Sequence, residues 1–154
     1  MGTTTQSADV EPIIPRIHFA ACPIRESLGI FGRKWALLIL RDLAFLKIER
    51  FSKFLKNNPG LTPRVLSMRL RDLENEGLVE RMTNSGEPRD VRYRLTRKGH
   101  DSIPILTAFI LYGIQHRAER VFEDGKPRRL VQVFPERRET MLGELASYAA
   151  SAKS

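Results

Sequence analysis

The run Leu61-Thr62-Pro63-Arg64-Val65-Leu66-Ser67-Met68-Arg69-Leu70-Arg71-Asp72-Leu73-Glu74-Asn75-Glu76-Gly77 reads as a helix with two unlike faces. The Thr62 hydroxyl can cap free backbone amides, and Pro63 suits the first helical position because its missing N–H would have had no intrahelical partner. Leu66, Leu70 and Leu73 recur at the three-and-four spacing of a buried stripe, with Val65 at its edge. Stepping about 100° per residue from Leu66 gathers Arg64, Ser67, Met68 and Arg71 on the opposite side. Arginine pairs with guanine in a major groove, serine bonds several base edges or a phosphate, and methionine contacts a thymine methyl. The face therefore reads as a candidate reading head for DNA, with Thr62 at its entry as a further contact. Taken alone, such a face is more usually a solvated helix surface.

The residues on either side of this helix favour DNA. After Gly77, residues 78–83 have strand character, and 84–88 are dense in turn formers. From Asp90 to Leu95 the chain alternates strictly: Val91, Tyr93 and Leu95 on one face, Arg92 and Arg94 on the other, the period of a half-buried strand. A hairpin with arginines outward is a wing, and Arg89, Arg92 and Arg94 are placed to follow a phosphate backbone or an adjacent minor groove. Upstream, residues 35–43 form a helix apolar enough to be largely buried, and a shorter helix over about 50–57 turns Phe51, Phe54 and Leu55 inward. The turn Asn57-Asn58-Pro59-Gly60 leads from it directly into the basic helix. Two helices joined by a short turn, the second with the polar face, is the helix-turn-helix order. The expected class is mainly α with a small β-hairpin (α+β), a winged helix-turn-helix.

Charge agrees. Residues 33–99 hold 16 lysines and arginines against 8 aspartates and glutamates, a net of +8, while the remainder holds 10 against 10. The whole excess falls on the segment expected to meet DNA, as an electrostatic footprint does. At 154 residues the chain suits one domain with appendages. No run approaches a membrane span and the polar residues 1–11 contain no secretory core, so a cytoplasmic protein with no membrane partner is expected. One cysteine excludes an intramolecular disulfide, and His18, His100 and His116 are too scattered for a metal site. No nucleophile elbow, phosphate loop or paired-carboxylate motif is present, so neither enzymatic activity nor a cofactor is expected.

Several pieces together resemble the HxlR-type transcriptional regulators: Cys22-Pro23-Ile24, Gly32-Arg33-Lys34-Trp35, Arg50-Phe51, the run 61–74, Gly77-Leu78-Val79-Glu80-Arg81, and residues 91–99. The resemblance spans about residues 22–112 and implies a prokaryotic winged-helix regulator that acts as a homodimer. The family's usual motif has paired glycines before the tryptophan, and here the second is Arg33. Arg33 and Lys34 are candidate phosphate contacts, with plain solvated charges as the alternative.

Three segments are expected: an N-terminal extension over 1–21 with residues 1–9 disordered, a regulator domain over 22–121, and a C-terminal extension over 122–154. Beyond a cap at Thr96–Gly99, a helix runs to about Arg120 with apolar residues nearly all round it. Ile103, Leu106 and Ile110 form one seam, and Ile105, Phe109 and Tyr112 another. One face can pack on its own domain while the other needs a partner, so Ile103, Leu106, Phe109, Ile110 and Tyr112 are candidate homodimer residues; burial within one chain is the alternative. A dimer would place two recognition helices on half-sites about one DNA turn apart, on an inverted repeat in double-stranded DNA. The tail carries Lys126-Pro127-Arg128-Arg129 and a helix over about 135–150, expected to pack across the dimer, with extra DNA contacts by Arg128 and Arg129 as the sharper possibility.

Cys22 precedes Pro23, so it would occupy the cap of the first helix, where amide dipoles favour a reactive thiolate. Some members of the resembled family sense oxidants or electrophiles through a cysteine here; the alternative is a small packing residue. A regulator controlled by an unidentified small-molecule inducer in a dimer-interface pocket, and a winged helix that binds protein, are the competing functions.

Overall fold

The computed structural model describes residues 12, 14–84 and 86–150 of the chain, and the segment expected to be disordered, residues 1–9, lies outside them. Helix α1 (Pro23–Phe31) begins with proline at its first positions and Cys22 at the cap. It ends at Gly32, where a side chain has no room: a Cβ there would stand 2.7 Å from the Leu28 carbonyl oxygen. After a turn in which Trp35 takes φ 80°, the left-handed region, comes the core helix α2 (Ala36–Ala44). The short α3 (Phe51–Asn57) and the basic α4 (Pro63–Asn75) come next, within one or two residues of the spans expected from the sequence.

Strands β1 (Val79–Asn84) and β2 (Glu87–Leu95) pair antiparallel, with Val79 opposite Leu95, Arg81 opposite Tyr93 and Met82 opposite Arg92. The alternation assigns the faces correctly. Tyr93 and Leu95 are buried and Val91 packs against them, while Arg92 and Arg94 stand on the other side. On the free edge of β2 the Tyr93 amide donates to the Glu49 carbonyl at 2.8 Å, which ties the loop before α3 to the wing.

Beyond the wing the single helix expected to reach Arg120 is broken. A short turn α5 (Arg97–His100), capped by the Thr96 hydroxyl, precedes α6 (Ile103–His116), and α7 (Ala118–Val121) comes after a break at Arg117. The cap is tight: a Cβ on Gly99 would lie 2.0 Å from the Leu78 carbonyl oxygen, so only glycine lets α5 press against the foot of the wing. The tail forms α8 (Leu130–Val133) and α9 (Arg138–Ala150).

Two apolar clusters result. In the larger, Ile39, Leu40 and Leu43 of α2, Phe54 of α3, Leu66, Leu70 and Leu73 of α4, the wing residues Leu78, Val79, Tyr93 and Leu95, and Leu106 of α6 pack together. In the smaller, Ile114 meets Leu130 and Met141 of the tail. Leu106, expected at a dimer seam, is only 5% exposed and belongs to the chain's own core. Ile103 packs on the larger cluster and Ile110 on the smaller. The seam containing these three therefore faces inward because the domain itself supplies their partner. Likewise α9 packs on α6 of the same chain through Met141, where the sequence suggested packing across a dimer.

Candidate nucleic-acid interface

The basic helix is seated by the residues around it. The Thr62 hydroxyl accepts a hydrogen bond from the Val65 amide at 3.3 Å, which defines the first turn. With Leu66, Leu70 and Leu73 buried, Arg64, Ser67 and Arg71 are exposed on the far side, and Met68 is 43% exposed beside them. Among the described residues Arg64 and Arg71 make no ion pair, so both guanidinium groups are available to an outside partner.

The turn leading into α4 is pinned from beneath by a buried carboxylate. Asp42, with no exposed surface, accepts from Arg41 at 2.6 and 2.9 Å, from Asn57 Nδ2 at 3.0 Å and from Asn58 Nδ2 at 2.6 Å. Arg41 also donates to Asn58 Oδ1 at 3.0 Å. Carboxylate, guanidinium and two amides thus fix α2 to the end of α3, which sets where α4 begins.

On one flank of α4, Asp72 is held by two arginines. Arg33 reaches Asp72 Oδ2 at 2.8 Å and Arg69 reaches the same oxygen at 2.7 Å. Partial burial raises the Asp72 pKa, and the hydrogen bonds and charges of Arg33 and Arg69 more than offset this, leaving the carboxyl below its usual value. The stabilisation is therefore present above the ordinary carboxylate pKa and is lost as pH falls through the lowered one. Arg33 is thereby tied to a carboxylate of its own chain, which makes it a poor phosphate anchor. Lys34, the other candidate there, lies with its ammonium 5.4 Å from the centre of the Trp35 ring.

The wing is less free than its sequence suggested. Arg92 is shared between Asp90 at 3.3 Å and Glu49 at 3.7 Å, and Arg94 pairs with Glu80 across the hairpin. Arg89 is exposed with no ion pair among the described residues. Sequence reading missed a largely basic cleft of about 570 Å³ between α3 and the wing, where Arg92 and Glu49, and Arg50 paired with Asp90 at 3.1 Å, join Lys47, Lys53 and Lys56. The spacing of three residues along Lys47, Arg50, Lys53 and Lys56, on the polar side of Phe51, Phe54 and Leu55, was the signal that could have found it. In the tail, Arg128 is held by Asp124 at 2.6 Å and stacks 4.6 Å from the Phe122 ring centre. It is thus engaged within the tail.

The other candidate residues lie away from α4. Cys22 is exposed and makes no side-chain cap bond. Phe109 and Tyr112 are each 61% exposed; Phe109 shares one apolar groove with Ile24, Leu28 and Phe31 of α1 and another with Leu145 and Tyr148 of α9. Among the described residues no helix is long and apolar enough to cross a membrane, and no cluster of three or more His, Cys, Asp or Glu could hold a metal.

A sequence model described as HxlR-like helix-turn-helix matches residues 30–121. An uncharacterized HTH-type transcriptional regulator of Synechocystis sp., sll1512, is 33% identical over 106 residues, covering 69% of this chain and 76% of its own. Among solved structures, PA1607, a candidate transcription factor, superposes with a TM-score of 0.58 at 32% identity over 71% of this chain and 72% of its own. The redox regulator HypR in its oxidized form gives 0.55 at 30% identity over 60% and 94%.

Proposed function

The chain belongs to the HxlR-like helix-turn-helix family of transcriptional regulators, and from that premise we propose that it binds double-stranded DNA sequence-specifically as a homodimer on an inverted-repeat operator. The carrying observation is the outer face of α4, where Arg64 and Arg71 stand exposed beside Ser67 and Met68, with no ion pair among the described residues. Bidentate guanidinium contacts to guanine supply discrimination, and Arg89 with the lysines of the α3 cleft adds affinity through phosphates. Residues 22–121 form the regulator domain, and residues 122–154 are an extension whose helix α9 packs on α6. The second copy covers the apolar surface formed by Phe109, Tyr112, Ile24 and Leu28, a set whose exposure is large for an isolated domain.

Control through Cys22 is supported by its exposure on the helix that lines this surface, and by the likeness to HypR, a redox regulator. A duplex from upstream of the protein's own gene, titrated by fluorescence anisotropy with scrambled competitor, tests both parts. Reduced protein is expected to bind specifically; mild oxidation is expected to change the affinity, and Cys22→Ser to remove that response while leaving reduced-state affinity nearly unchanged. A response surviving in Cys22→Ser would remove Cys22 from control. Specific binding indifferent to oxidant would favour a small-molecule inducer, and robust binding to a protein with no DNA affinity at low salt would favour an interaction module.

A further inference from the structure

We infer that Arg33 and Asp72 are a positioning pair that seats the recognition helix α4 against the end of α1, and so sets how sharply the protein distinguishes DNA sequences. The inference rests on the proposed DNA-binding function and concerns how its reading face is aimed. Arg33 Nε donates to the Gly29 carbonyl at 3.0 Å, capping the last turn of α1, while its other arm reaches Asp72 on α4. From the α4 side, Arg69 Nε donates to the Lys34 carbonyl at 3.0 Å and its other arm meets the same Asp72 oxygen. The turn between α1 and α2 is therefore tied to α4 by two forked guanidinium groups that converge on one carboxylate. The fork geometry fixes direction as well as distance. The neighbouring residue 32 could not carry such a strut, because a Cβ there would lie 2.7 Å from the Leu28 carbonyl oxygen.

Asp72 sits beside Arg71 and one turn beyond Met68, on the flank of the reading face and not on it. Arg64 lies eight residues away, an arm of about 12 Å at the helical rise. A rotation of about 5° about Asp72 would carry Arg64 by about 1 Å, enough to spoil a bidentate hydrogen bond. Phosphate contacts by flexible side chains tolerate such a shift. Loss of the pair should therefore reduce the ratio of specific to random binding and leave random binding intact. A phosphate anchor at Arg33 would do the opposite, weakening every sequence and lowering the salt slope by about one phosphate's share.

The test uses the full chain, wild type and with Arg33→Ala, Arg33→Lys, Asp72→Ala and the double alanine change. Each is titrated at several salt concentrations against the duplex that the wild-type protein selects from a random pool, and against a scrambled duplex. Each single alanine variant is expected to lower the specific-to-random ratio about fivefold. The double variant should be no worse than the poorer single, since the two side chains act as one unit. Arg33→Lys is expected to recover part of the ratio, and random-DNA affinity, salt slope and melting temperature should stay near wild type for Arg33→Ala. An unchanged ratio, additive losses, equal weakening on both duplexes with a reduced slope, or a loss that merely tracks a fall in melting temperature would each overturn the assignment. A wild-type protein that selects no sequence would instead overturn the proposed function, before any variant is compared.

Discussion

At Asp42 a fully buried carboxylate is matched by three donor side chains, one of them charged. Removing one member of such a set strands the others, which costs more than the intact set contributes relative to an apolar replacement. Asp42→Ala is expected to lower stability by about 3 kcal/mol, read as a shift in the urea midpoint without a change in slope. A loss below about 1 kcal/mol would mean that water or a rearranged Asn58 satisfies the freed groups. Little of this was legible in the sequence. Asp42 lies in a run that periodicity marks as a buried helix, but periodicity cannot say that a charged residue in it turns inward. The asparagines that receive it read as ordinary turn formers, because their partner is some fifteen residues away and met only through the fold. Asp72 was hidden in the same way: it stood in the sequence as one charge among many on a basic helix.

At the scale of elements, the local rules carried well and the pairings did not. The cap at Thr62, the leucine stripe of α4 and the alternation of β2 are set by neighbours within a few residues, and each appears as expected. Which carboxylate faces which arginine depends on register: Glu80 meets Arg94 only because Val79 stands opposite Leu95. This changes what the two elements should contribute to binding. Arg64 on α4 has no ion pair among the described residues, so Arg64→Ala is expected to cost about 1–3 kcal/mol on the cognate duplex and little on random DNA. Arg92 must give up Asp90 and Glu49 before it can hold a phosphate, so Arg92→Ala should weaken all sequences alike and more weakly, with a slightly smaller salt slope. Competition titrations on cognate and scrambled duplexes separate the two. Sequence-dependent loss for Arg92→Ala would place the wing in a groove as a reader.

For the molecule as a whole, α6 decides how the parts assemble, because it is apolar on more sides than one domain can cover. Leu106 and Ile114 go into the two internal clusters, and α9 covers part of the remainder, an arrangement the sequence could not assign because intramolecular and intermolecular burial leave the same pattern of apolar residues. What is left is the surface around Phe109 and Tyr112, continuous with Ile24 and Leu28 of α1. A twofold axis through it would bring two copies of α1 together, along with both exposed Cys22 thiols, and would hold two α4 helices for half-sites about one DNA turn, or roughly 34 Å, apart. Phe109→Glu places a charge in this surface without touching either internal cluster, so the variant should fold, with its melting temperature lowered only by the stabilisation that the partner supplied. It is expected to sediment as a monomer at micromolar concentration and to lose the steep, single-step binding of the full inverted repeat, while keeping weak binding to an isolated half-site. A variant that remains dimeric with wild-type affinity would move the interface away from α6, and with it the route by which α1 and its cysteine reach the DNA.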